Sequence, residues 1–216
     1  MSEMRKHIFF TMLLLYCTQL NATDNIIIGN FSNNELKEWE SHSFEGETQY
    51  NLVTDAGISV LKAQSKQAAS GMIKKQRIDI KKTPYLNWRW KVDNALFRLS
   101  ETFKEGDDFA ARIYIIIDGG VFFWRTVALN YVWASGQPKG SAWRNPFTSN
   151  AAMIALQSGD KHKQEWVHEK RNVYQDLKQT FGKEFRFIDA VAIMTDTDNS
   201  GQKATAYYGD LFFSTD

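Results

Sequence analysis

The stretch Tyr85-Leu86-Asn87-Trp88-Arg89-Trp90-Lys91-Val92 alternates apolar and polar side chains without a break. Successive side chains of an extended strand point to opposite faces, so Leu86, Trp88, Trp90 and Val92 share one face while Tyr85, Asn87, Arg89 and Lys91 share the other. One face is dry and one is wet. The same division recurs downstream. From Phe109 to Ile117 the odd positions are all apolar while Arg112 and Tyr114 mark the even face. From Val127 to Trp133, Val127, Leu129, Tyr131 and Trp133 alternate with Ala128, Asn130 and Val132. Further strands are expected over 26–31, 49–54, 58–63, 71–80, 151–157, 165–171, 188–195 and 204–214. Short strands at such close spacing form an all-β fold, a sandwich or a barrel. The stretches 94–106 and 136–150 read as loops between strands.

One helix stands out near residues 172–181. Asn172 supplies a cap, Val173, Leu177 and Phe181 follow at four-residue spacing, and Gly182 closes the C-terminus. The helix is expected to seal one end of the sandwich. With a single helix, and with neither a phosphate loop nor a dinucleotide fingerprint, the parallel-sheet nucleotide folds are excluded.

Composition agrees with a packed domain: 43% of the 216 residues are hydrophobic and 14% aromatic, with 3 Pro and 13 Gly, which excludes disorder, collagen and coiled coil. No linker or repeat divides the chain, so residues 23–216 are read as one domain. Lys and Arg total 26 against 25 Asp and Glu, a net charge of +1 that offers no footprint for nucleic acid.

At the N-terminus, Arg5 and Lys6 precede the apolar run Ile8–Cys17, and polar residues then lead to Ala22. The run is shorter than the roughly 18–20 residues of a stable membrane anchor, and the pattern is that of a secretory signal peptide over 1–22, cut after Ala22. The expected location is periplasmic or secreted, with no transmembrane span after cleavage. Tyr16 argues against reading Cys17 as a lipid-attachment cysteine, where a small residue should precede it. The mature chain then has no cysteine, hence no disulfide, thiolate nucleophile or cysteine metal ligand.

The residues that promise chemistry are few. Asn87, Arg89 and Lys91 beside Arg112, Tyr114 and Asn130 are expected to line one groove. Guanidinium forks and amides there suit the hydroxyl pairs or carboxylates of a saccharide, and nearby tryptophans suit sugar faces. An ordinary solvated face with internal ion pairs is the bland alternative. Arg112, inside an apolar strand, needs a carboxylate partner, and Asp107 or Asp108 just upstream is available. The run Thr195-Asp196-Thr197-Asp198-Asn199-Ser200-Gly201 resembles part of a calcium loop, with Asp196, Asp198 and Asn199 as ligands of a structural ion. A hairpin turn explains the same run, and Asp210 joins it only if the fold brings the two together. Glu165, His168 and Glu169 fit a surface strand. No nucleophile elbow or zinc spacing occurs, and no cofactor other than that calcium is implied.

The segments Leu86–Val92, Asp107–Tyr114 and Tyr131-Val132-Trp133, followed by Glu169–Val173, Phe181-Gly182, Asp196–Asn199 and Tyr208-Gly209-Asp210, resemble in their order the exported bacterial proteins of unknown function grouped as DUF3047. The resemblance covers most of the chain after the leader and carries no activity, substrate or catalytic residue with it. It implies an antiparallel β-sandwich similar to the jelly rolls of carbohydrate-binding modules, with ligand on a concave face. The expected function is noncatalytic binding of a carbohydrate or envelope glycan by Arg89, Arg112, Tyr114, Asn130 and Asp108. Two alternatives stay open. One is a polysaccharide hydrolase or lyase built from Asp108, Arg112 and Tyr131 or Tyr114; the other is a structural or interaction module of the envelope.

Overall fold

The computed structural model describes residues 25–216. The leader expected over 1–22 and Cys17 lie outside the described residues. In chain order the strands are β1 (Ile26–Gly29), β2 (Trp39–Glu45), β3 (Gln49–Asp55), β4 (Ile58–Lys66), β5 (Ala69–Asp79), β6 (Tyr85–Val92) and β7 (Ala111–Ile117). Then come β8 (Val127–Ala134), β9 (Ala142–Arg144), β10 (Ala151–Ser158), β11 (Val167–Asn172), α1 (Val173–Phe181), β12 (Phe187–Asp196), β13 (Lys203–Tyr208) and β14 (Leu211–Ser214).

They form two sheets packed face to face, an all-β sandwich. One sheet runs β1-β14-β6-β13-β4-β3, with β11 added along β6. The other runs β2-β5-β12-β7-β8-β10-β9. Every pairing is antiparallel except β8 with β10, which run parallel and are joined by the long connection that contains β9. Among the described residues no helix is long and apolar enough to cross a membrane.

The period-two reading of β6 holds: Leu86, Trp88, Trp90 and Val92 are buried between the sheets, and Arg89 is only half-buried on the outer side. β7 and β8 supply the opposite wall through Ile113, Ile115, Leu129, Tyr131 and Trp133. An aromatic seam stitches the layers. Trp88 lies 5.4 Å from Trp90 and 5.5 Å from Tyr131, and Trp90 lies 6.0 Å from Trp133, ring centre to ring centre. Each such pair adds about 0.5–1.5 kcal/mol beyond the area it buries.

Asn172 accepts the Gln175 N–H at 3.0 Å and caps α1, and Gly182, in the left-handed region at φ 70°, ends it. The helix is anchored to the sandwich by Asp176, which accepts from the buried Tyr131 hydroxyl at 2.7 Å and from the Arg171 guanidinium.

Several boundaries differ from the sequence reading. The strand expected from Phe109 starts at Ala111, because Phe109 turns onto a small second cluster with Val132, Met153 and Trp143. The expected strand 204–214 is two strands broken at Gly209, where Arg89 packs so closely that a Cβ would sit 2.5 Å from its Cγ. β2, with sequence WESHSFE, was not expected; six of its seven residues are exposed, so no apolar alternation marks it. Glu169 is half-buried: it turns inward and accepts from Gln157 Nε2 at 2.6 Å. The loops 94–106 and 136–150 are tied together by Glu101, fully buried, which accepts the backbone N–H groups of Ser135 (2.6 Å), Gly136 (3.1 Å) and Gln137 (3.0 Å).

Candidate functional site

The groove expected from Asn87, Arg89 and Lys91 beside Arg112, Tyr114 and Asn130 is divided by the sandwich itself. β6 belongs to one sheet and β7 and β8 to the other, so the two sets lie on opposite outer faces. Arg89 rests on the Trp166 ring at 4.5 Å, and Lys91 pairs with Asp55 at 2.8 Å over the Tyr207 ring. A cavity of about 500 Å³ on this face is lined by Asn87, Arg89, His168 and Lys170. Asp210 also borders it, accepting from Ser32 N at 2.9 Å, so it does not join the run at Asp196.

The other outer face holds the remaining residues. A groove of about 410 Å³ runs over β7, with Tyr114, Asn130 and Met194 on its floor and Phe44 and Phe147 on its walls. Phe44 reaches the groove because β2 carries a bulge: Ser43 pairs with Ser70 and Glu45 with Ala69, leaving Phe44 as the unpaired residue between them. Phe147 is set by Asn145, whose Oδ1 accepts the N–H groups of Phe147 (2.9 Å) and Thr148 (3.2 Å), while its Nδ2 donates to Asp107 at 2.9 Å. Both phenyl rings are unusually open for their size, 67% exposed for Phe44 and 56% for Phe147. Neither was singled out in the sequence, since a bulge and an Asx turn are set by pairing geometry. The tryptophans expected to stack on sugars are elsewhere: Trp88, Trp90 and Trp133 are core, and Trp143 packs on Phe109.

Arg112 finds its carboxylate, but neither of the neighbours offered by the sequence makes the close pair. Its Nη2 donates to Asp196 Oδ2 at 2.7 Å and to the Asp107 carbonyl at 2.7 Å, with the Asp107 carboxylate 3.9 Å away. Nη1 donates to the Tyr114 hydroxyl, and the guanidinium lies 4.4 Å from the Phe109 ring centre. Arg112 is thus an internal counter-ion beneath the groove, not a free fork for a ligand. Burial pushes the Tyr114 phenol well up, so at neutral pH it is a hydrogen-bonding group and no base. Tyr131 lies on the inner side, fully buried and bonded to Asp176. An assembly of Asp108, Arg112 and Tyr131 does not form.

Asp108 is fully buried and does not line the groove. Its Oδ1 accepts Asn199 N at 3.3 Å and Asn199 Nδ2 at 3.2 Å, and its Oδ2 accepts Ser200 N at 2.6 Å, so it clamps the turn after β12. The expected calcium ligands are only partly assembled. Carboxylate oxygens of Asp108, Asp196 and Asp198 lie within 4.8 Å of one another, but Asn199 turns its amide nitrogen towards Asp108 and Asp198. Asp107, Asp196 and Asp198 are held above the usual carboxylate range, by burial first and then by one another's charge and that of Asp108, against the opposing pull of Arg112. Four polar atoms of groove-lining residues are buried without a partner: the acceptors Asp107 Oδ1, Asn130 Oδ1 and Asp198 Oδ1 and the donor Arg112 Nε. The Asn130 assignment is fixed by its Nδ2, which donates to the Ala152 carbonyl at 3.2 Å.

The family model described as "Protein of unknown function (DUF3047)" matches residues 37–212. The chain belongs to this family. No curated protein matches it in sequence. Among solved structures, the DUF3047 chain is similar to the cellulose-induced protein Cip1, with 11% identity and a TM-score of 0.51 over 88% of this chain and 97% of that one. It also aligns with a family 11 carbohydrate-binding module from Clostridium thermocellum, at 10% identity and a TM-score of 0.47 over 88% of this chain and 94% of that one. A third match is endoglucanase cel12A from Rhodothermus marinus, at 10% identity and a TM-score of 0.47 over 88% of this chain and 99% of that one. At these identities the likeness is one of fold.

Proposed function

We propose that this DUF3047 chain is a noncatalytic carbohydrate-binding protein, and that it takes its saccharide in the groove over β7. The observation that carries the reading is the pair of open phenylalanines, Phe44 and Phe147, brought by two separate segments to the walls of one groove whose floor holds Tyr114 and Asn130. Apolar walls with a few polar floor atoms are the common plan of small-ligand sites. Exposed rings flanking a groove suit the C–H faces of sugars. The sandwich shared with Cip1 is compatible with this and adds nothing on specificity. Arg112, Tyr114 and Asp196 beneath the groove are bonded to one another, which favours holding a ligand over transforming it. The signal-like N-terminus supports placing the protein in the periplasm or outside the cell.

Binding of the purified protein to immobilised polysaccharides, repeated with the double variant Phe44→Ala, Phe147→Ala, tests the site. Loss of about tenfold or more in affinity, with an unchanged circular dichroism spectrum, is the expected result. Undiminished binding by the folded double variant would remove the groove from consideration, and release of reducing ends from the bound glycan would replace binding by catalysis. N-terminal sequencing of the protein recovered from fractionated cells checks the export reading, with a mature chain starting at Thr23 expected.

A further inference from the structure

The groove that the proposed function rests on has a sign of charge. Asp107, Asp196 and Asp198 line it and Asp108 stands directly behind Asp196 and Asp198, while Arg112 is the cation embedded among them. The guanidinium is already shared between Asp196, the Asp107 carbonyl and Tyr114. The buried atoms left without a partner tilt the same way: Asp107 Oδ1, Asp198 Oδ1 and Asn130 Oδ1 are acceptors, against Arg112 Nε as the donor. Asn130 is 1% exposed and Asp107 6%, so their negative ends act through protein with little water to screen them. Low-dielectric walls lined by one sign of charge focus that field into the cleft they enclose. At the rim Lys104 lies over the Phe147 ring at 5.2 Å, so the cations Arg112 and Lys104 stand against the carboxylates of Asp107, Asp108, Asp196 and Asp198.

We infer that the groove selects an amine-bearing saccharide, a glycan with free ammonium groups, over neutral glycans, and rejects uronic acids and sulfated sugars. This reverses the expectation, drawn from Arg89 and Arg112, of a site for sugar carboxylates. A divalent ion suits the place less well. Calcium asks for six to eight oxygens. Here Arg112 occupies Asp196, and the Asn199 amide nitrogen faces Asp108 and Asp198. An ammonium has three donors to place and keeps its hydration on the open side.

The test uses the full chain and three soluble probes of matched length: glucosamine oligomers, cello-oligosaccharides and oligogalacturonates, titrated calorimetrically at neutral pH and at two salt concentrations. Glucosamine oligomers are expected to bind about tenfold tighter than cello-oligosaccharides, with the margin shrinking at high salt, and oligogalacturonates not to bind. Asp198→Asn, a near-isosteric change at a half-buried residue, is expected to cut the preference about fivefold and leave the neutral ligand unaffected. Arg89→Gln, on the opposite face, is expected to change nothing. Equal affinity for amine and neutral oligomers, tighter binding of the acid, or a preference that follows Arg89→Gln in place of Asp198→Asn would overturn the charge inference while leaving carbohydrate binding intact. Failure of all three probes would overturn both readings together.

Discussion

The two outer faces of the sandwich handle charge in opposite ways. On the β6 side the cations lie flat at the surface: Arg89 on Trp166, Lys91 between Asp55 and Tyr207, Lys170 over Tyr85 at 5.0 Å. On the β7 side the charges are under cover. Arg112 and Asp196 are both nearly inaccessible, 4% and 2% exposed, and other carboxylates crowd them. A surface cation costs little to place and contributes little; a buried one is committed, because removing either partner leaves the other charge without water. The same residue type, on consecutive strands of the chain, is therefore dispensable in one sheet and structural in the other.

Breaking the buried side should have the largest effect. Arg112→Met leaves the Asp196 and Asp107 carboxylates without their cation, and an expected cost of about 3–5 kcal/mol should show as an earlier urea midpoint at unchanged slope. A cost below about 1 kcal/mol would erase the contrast. Next comes Glu101→Ala. Three backbone N–H groups lose their acceptor, the expected loss is about 2 kcal/mol, and hydrogen exchange should quicken at Ser135, Gly136 and Gln137.

The third effect is a pH dependence carried by the β7 side. Burial raises Asp107, Asp196 and Asp198, so just above the ordinary carboxylate range the folded chain holds protons that the unfolded chain has released. Their contribution is full below the ordinary carboxylate range and is lost as pH rises through the raised values. The groups facing them are Arg112, Asp108, Tyr114 and Tyr208. Denaturation midpoints measured from the ordinary carboxylate range upward should therefore fall with rising pH until the raised values are passed, and the double variant Asp107→Asn, Asp198→Asn should flatten that slope. A slope unchanged by the double variant would place the titration elsewhere. Smallest of all should be Arg89→Ala, about 0.5–1 kcal/mol for one cation–π contact, read in the same denaturation assay.

What the sequence revealed and concealed follows from the range of each interaction. Alternation is local, so the inward turn of Trp88 and Trp90 and the outward turn of Arg89 were legible in eight residues. The helix was legible too, because Asn172 and Gly182 act within one turn of its ends. Which sheet a strand joins is decided by pairing across the chain, and no alternation encodes it; hence Arg89 and Arg112 were placed together although a whole core separates them. The Arg112 pair spans 84 residues, and the Asp108 clamp on Ser200 spans 92. The Asp196-Thr197-Asp198-Asn199 run stood out in the sequence, but Asp108, whose carboxylate lies beside those of Asp196 and Asp198, comes from the segment that leads into β7.

The parallel pairing of β8 with β10 obliges the chain to leave the sheet after Ala134 and return at Ala151, and the excursion carries Asn145, Phe147 and Thr148, one entire bank of the groove. That bank is tied to the sandwich through Glu101, the three rungs of β9, the Trp143 ring on Phe109 and the Asn145 amide on Asp107. Phe147 and Thr148, exposed at its tip, can change without disturbing how the layers stack, so the tip is the natural place to graft a different ligand preference onto an unchanged frame.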